Sequence, residues 1–260
     1  MKNIFSHVFV TSFLDQKKTL QELLEESRDR ADFYILLMLA TFIATLGLLS
    51  NNVAVIIGGM LIAPILFPIL GLAMGIVTSS GLAIGRSFKI LIRSVGLVLG
   101  FSIITAFLFG APTDVGEQIL LRIEPDLNLF LIAFAAGLAV SYSWVKQNLS
   151  AALPGIAVAV ALVPPLATVG IGLALWDRLI IAGALNLFLV NIIATVLGSV
   201  IIFSLFGFSR LQKEEEQKII EEEFESHIHK EAVDEAVKEL AKEGSLASMR
   251  DLVNDKKDNV

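Results

Sequence analysis

The chain has 260 residues, 55% of them hydrophobic, with a mean hydropathy of +0.75. Charged residues make up 18%, against about 25% in soluble domains, and they are absent from 33–85, 94–113, 127–145, 147–176 and 179–209. This excludes a soluble core, which needs charged surface between its helices; several uncharged runs longer than about 18 residues are what a bilayer requires.

The net charge is −6, and most of the excess acid lies in the last fifty residues, so it describes no nucleic-acid surface. There is no cysteine, which excludes disulfides and thiolate metal sites.

Met1 to Leu14 carries one lysine and a short apolar run (Ile4, Phe5, Val8, Phe9, Phe13). It lacks a small-residue cleavage site, and Asp15, Lys17 and Lys18 follow at once. A segment lying on the membrane surface is expected rather than a signal peptide. Residues 16–31 read as a polar amphipathic helix with Leu20, Leu23 and Leu24 on one side. The first span is Phe33 to Leu49, closed by the uncharged turn Ser50-Asn51-Asn52.

The next apolar run, Val53 to Ile84, is too long for one straight span and too short for two with a loop. It contains Gly58-Gly59 and then Pro64 and Pro68. Each proline removes a backbone donor and clashes with the preceding turn, so a broken helix is expected. Gly85 to Ser94 reads as a stretch at the headgroups, with Arg86, Lys89 and Arg93 on one helical face.

The third span is Val95 to Gly110. An acidic loop, Ala111 to Asn128, follows and holds Glu117 and Arg122, five apart, as a local ion pair or a mouth residue pair. The fourth span is Leu129 to Val145. The fifth run, Leu149 to Leu175, is expected to break at Pro164-Pro165. The sixth span is Leu179 to Phe208.

Lys and Arg number five before the first span, three between the second and third, one (Lys146) between the fourth and fifth, and nine in the tail. The alternate connections carry one, one and none. The positive-inside rule then places both termini in the cytoplasm of a multi-pass plasma-membrane protein. The segments are 1–31, a transmembrane domain 32–208 and an acidic helical tail 209–260. In the tail, Ile220, Phe224 and Ile228 form an apolar line that Val233, Val237 and Leu240 continue, which suits association of copies into a homo-oligomer.

The fifth run matches the second at an offset of 101: Leu61 falls on Leu162, Pro64 on Pro165, and Gly71-Leu72-Ala73 on Gly172-Leu173-Ala174. Each broken run is the middle member of a three-span unit, so the all-α fold expected is two inverted three-helix repeats. Gly71/Gly75, Gly81/Gly85 and Gly96/Gly100 are small-xxx-small patterns, read as close helix packing.

No ionisable side chain lies within an expected span, which argues against a buried carboxylate relay. The pathway candidates are therefore backbone breaks and neutral side chains: Gly58, Gly59, Pro64, Pro68, Pro164, Pro165, Thr168, Asn191, Asn51 and Asn52, with Thr41, Thr45 and Asn186 as further polar positions. A break in mid-membrane frees backbone groups that are tolerated only when buried or facing a wet cavity. His227 and His229 lack a nearby partner and make no metal site. There is no nucleophile with a base, no phosphate loop and no haem motif, so neither an enzyme nor a cofactor is expected. The reading is a transporter or facilitator for a small neutral or anionic solute or ion; an oligomeric ion channel and a non-transporting scaffold or sensor are the alternatives.

The motif Ile56-Ile57-Gly58-Gly59-Met60-Leu61-Ile62-Ala63-Pro64-Ile65 resembles the core motif of a bacterial and archaeal membrane family described only as an uncharacterised hydrophobic domain. Leu153-Pro154-Gly155-Ile156-Ala157 through Ala161-Leu162-Val163-Pro164-Pro165-Leu166 is similar to its second signature, and Gly116 to Arg122 with Pro125 to its loop signature. Asn191 falls at the polar position of its last span. The resemblance covers about residues 31–208. It implies an integral membrane protein and no particular activity. Phe67 departs from the glycine common in the family just before the second proline.

Overall fold

The structure is a computed structural model that describes residues 11–110, 115–124, 126–146, 149, 153–225, 228 and 238. These residues are helical or loop, with no strand among them. Two compact units result, Met1–Glu216 and Gln217–Val260. The surface segment expected over residues 1–14 lies mostly outside the described residues.

Helix α1, Phe13–Glu26, starts on Ser12, whose side chain accepts from the Asp15 amide. It buries Leu20, Leu23 and Leu24, the side expected from spacing. Helix α2, Ala31–Leu49, ends in the turn at Ser50. Asn52 caps the next helix, α3 (Val53–Ile62), by accepting from the Val55 amide. After a three-residue break comes α4, Leu66–Thr78, bent 52° from α3.

Helix α5, Gly81–Phe109, runs unbroken for 29 residues from its Ser80 cap. The separate headgroup stretch expected over 85–94 is therefore its first part. The three cations ride one face, and no proline interrupts the ladder, so nothing there stops the helix.

A four-residue turn of helix, α6 (Glu117–Leu120), leads to α7, Leu127–Val145, capped by Asp126. Helices α8, Leu153–Val160, and α9, Val163–Leu175, flank a two-residue break. Helix α10, Arg178–Leu205, is capped by Asp177. A 3₁₀ turn at Phe208–Arg210 leads into a helix, α11, over residues 212–225.

Among the described residues, four helices (α2, α5, α7, α10) are long and apolar enough to cross a membrane, and the count is five where α3 with α4 is taken as one bent span. The expected count of six also needs α8 with α9. Eight residues of α8 rise only about 12 Å, too little to span alone.

Three of the four prolines at the breaks stand in the first turn of the second helix of a pair, and Pro64 lies in a break itself. Pro164 and Pro165 occupy the first turn of α9, so the break lies at 161–162, just before them. Pro68 is likewise in the first turn of α4, and Pro64 lies in the break at 63–65. First-turn amides have no intrahelical acceptor, so proline costs little there and still prevents the helix from extending backwards.

The second helices of the two broken pairs match locally, at an offset other than 101. Helices α4 and α9 each have 13 residues, and their starts, 66 and 163, are 97 apart. Both end on a left-handed residue, Ser79 and Trp176. The next amide returns to a glycine carbonyl at 3.0 Å in both, Ser80 to Gly75 and Asp177 to Gly172. A Cβ on Gly75 would lie 3.0 Å from Ala83 and Ile84, and one on Gly172 would meet Ile180 and Ile181 in the same way. The slip of four residues is about one helical turn, which keeps apolar residues on apolar residues and hides in a sequence comparison.

Packing is reciprocal. Helix α4 packs on α5 and on α10, while α9 packs on α10 and on α5. Gly59 lets α3 approach α2: a Cβ there would lie 2.9 Å from the Ala40 carbonyl and the Ala44 amide. Gly71 and Gly75 are similarly tight, whereas Gly58, Gly81, Gly85, Gly96 and Gly100 meet nothing within 4 Å. Gly59→Ala is expected to cost about 1–3 kcal/mol by overpacking, and Gly58→Ala to be neutral or stabilising by up to about 1 kcal/mol. Thermal unfolding of both variants in detergent separates the two positions.

Candidate functional site

The two breaks meet opposite environments. At the second, Leu162, Pro164, Pro165 and Thr168 are buried. Ala161 takes a positive φ of 46°, and its carbonyl accepts from the Asn191 side chain at 3.2 Å. A cross-helix donor from the middle of α10 thus satisfies the oxygen that the break sets free. The Thr168 hydroxyl donates back to the Pro164 carbonyl at 2.9 Å, covering the first turn of α9. Of the two polar positions expected from sequence, Asn191 reaches the break, while Thr168 bonds within α9.

The first break has no such cover. The residue 97 before Asn191 is Ser94, which donates to the Ile90 carbonyl of its own helix. Among the described residues, no side chain donates to the carbonyls of Leu61, Ile62 or Ala63. Helix α3 ends there, with Ala63 as an extended C-cap. Pro64 is half-buried and Pro68 buried.

An apolar crevice of about 240 Å³ opens at this point. Leu61 and Ile62 of α3, Ala63 and Pro64 of the break, and Leu66, Phe67 and Leu70 of α4 form one wall. Leu36, Val140 and Trp144 form the other, and Glu26 stands at the edge. The Phe67 and Trp144 rings meet at 5.5 Å, edge toward face. Phe67 is thus a wall of the crevice where the family motif commonly has glycine. Ser27 fixes the local backbone by donating to the Phe67 carbonyl at 3.0 Å, and the Trp144 indole donates to the Thr19 carbonyl at 3.4 Å.

Asn51, Asn52, Glu117 and Arg122 sit away from this crevice. Asn51 adopts a left-handed φ of 52°, which asparagine tolerates. Its side-chain oxygen accepts from the Gln118 amide at 2.9 Å, which pins α6 to the turn after α2. Ile119 of α6 is fully buried among Leu48, Ile56, Ala167 and Ile180. The Arg122 guanidinium bonds the Gln118 carbonyl and side chain. Among the described residues it makes no ion pair with Glu117, which corrects the expected pair. Burial lowers the Arg122 pKa. Its role here is to hold α6. His227 and His229 lie outside the described residues.

Sequence reasoning missed Glu215. It is fully buried, and the Thr78 hydroxyl at the end of α4 bonds one carboxyl oxygen while the other lacks a partner. Gln212 adds a bond to the Ser79 carbonyl at 3.3 Å. Burial pushes the Glu215 pKa up to about 7; the Thr78 bond opposes the shift and Glu216 adds to it. No periodicity marks Glu215 out, because it stands among other acids.

A carboxyl whose folded pKa exceeds its unfolded value holds its proton more tightly in the folded chain. Stability is then greatest below about pH 4.5 and falls as pH rises through about 7, by roughly 3 kcal/mol in all. Thermal unfolding should show a lower midpoint at pH 8 than at pH 5.5, and Glu215→Gln should remove most of that difference.

Comparison with known proteins adds a family and no activity. The model of the family described as a domain of unknown function, DUF389, matches residues 60–197. An uncharacterized protein of Methanocaldococcus jannaschii is 36% identical over 188 residues, which is 71% of this chain. The match spans 58% of that relative's length. No solved structure matches the chain.

Proposed function

From membership of the DUF389 family, to which the chain belongs and which carries no assigned activity, we propose a function on the geometry alone: a membrane facilitator or transporter of a small solute or ion, working through its two helix breaks. The observation that carries this reading is the pair of matched breaks, one sealed by Asn191 and the other opening on a crevice. Inverted halves with broken helices at corresponding positions are the usual frame of a transporter site. In this reading α8 with α9 supplies the sixth span, and spans one to three are inverted relative to four to six. The Lys and Arg counts put both termini in the cytoplasm. Glu26 at the crevice edge then makes it the cytoplasmic mouth, and exchange of the open and sealed breaks gives alternating access.

An oligomeric channel is the second reading. Ile220 and Phe224 on α11 are exposed, as is Ile228, which suits association of copies through the tail. Unitary current steps in a planar bilayer identify a channel; solute-dependent flux without steps identifies a carrier.

Replacing Pro164 and Pro165 together by Ala restores two backbone donors and frees α9 to extend backwards through Ala161. Flux in proteoliposomes should fall at least about tenfold, with helix content and insertion retained. Undiminished flux would remove the breaks from the mechanism.

A further inference from the structure

The crevice at the first break has a chemical bias. Its walls are aliphatic and aromatic, with the Phe67 and Trp144 rings on opposite helices. What polarity it has is negative. Glu26 brings a carboxylate to the edge and forms no ion pair among the described residues. Among the described residues, no cation lines the crevice; Arg28 and Arg30 lie 3.9 and 3.4 Å from Glu25, Arg86 donates to the Leu24 carbonyl at 3.4 Å, Arg93 bonds Asp29, and Lys146 stands over the Phe206 ring at 5.3 Å.

The carboxyl end of α3 also points its last carbonyls into the break, and a helix C-terminus carries partial negative charge. Aromatic faces add attraction for a cation, most of all where water is excluded. An anion would meet the same groups as repulsion, and a neutral polar solute would find no paired donor and acceptor on these walls.

We infer that the crevice binds a monovalent lipophilic organic cation, with its apolar body against the paired rings of Phe67 and Trp144 and its charge toward Glu26 and the end of α3. This names the substrate class of the site proposed above and rests on that reading for transport, though binding stands without it. It replaces the neutral or anionic solute expected from sequence.

The probe is 1-benzylpyridinium, a lipophilic cation that quenches tryptophan. Diphenylmethane is its uncharged isostere. The chain has two tryptophans, and Trp176 is 87% exposed, so Trp176→Phe in the full chain leaves Trp144 as the reporter. In nanodiscs, 1-benzylpyridinium should quench Trp144 saturably. Glu26→Gln should weaken binding about fivefold, and diphenylmethane should compete at least about tenfold less well. Glu26 is exposed, so its substitution leaves the fold intact, and circular dichroism checks this.

Equal competition by diphenylmethane, with no effect of Glu26→Gln, would overturn the cation assignment and leave an apolar slot for a lipid tail. Absence of saturation would overturn the site. Saturable, Glu26-dependent binding without flux of 1-benzylpyridinium into proteoliposomes would uphold the site and sink the transport reading alone.

Discussion

Backbone polar groups released inside an apolar bundle have to be satisfied, and each one left unpaired in hydrocarbon costs several kcal/mol. Much of this structure follows from how the chain meets that demand at two places. Prolines at the start of α9 and around the start of α4 prevent either broken pair from closing into one continuous helix. At the second break Asn191 supplies the missing donor from another helix. At the first break no side chain among the described residues does so, and the helix end faces a crevice instead. The left-handed φ of Ala161 is a local strain that the surrounding burial holds in place.

The same economy places the loops. Asn51 and Asn52 stand at a helix junction, where Asn51 accepts from the amide of Gln118 and Asn52 caps α3. Ile119 then plugs the core between the halves, and Arg122 ties α6 together through Gln118. At the other end of the bundle, Glu215 reaches the end of α4 through Thr78. A protonated carboxyl suits that buried position, so this contact is the one most open to pH.

Composition and proline spacing made the helices and the existence of both breaks legible. The first lies at Pro64 as expected, but the second lies at 161–162, ahead of Pro164-Pro165, because proline marks a first turn as readily as a break. The likeness read at an offset of 101 has a local counterpart in the structure at 97, where the helix ends match: Ser79 with Trp176, and Ser80 with Asp177. The crevice was hidden because it joins Glu26, Phe67 and Trp144, which only tertiary packing brings together. The Glu117–Arg122 pair was misread from proximity in sequence, where Gln118, four residues from Arg122, competes on the same helical face.

The account turns on the first break being open to water while the second is sealed. The chain has no cysteine, so single cysteines report without background. The most direct measurement places Ile62→Cys and, separately, Ala161→Cys in the intact protein in proteoliposomes and follows reaction with a charged, membrane-impermeant thiol reagent applied to either side. The account predicts rapid modification of Cys at 62 from the side carrying the termini, and protection at 161 from both sides. Equal reactivity at the two positions, or protection at 62 with reaction at 161, would contradict it.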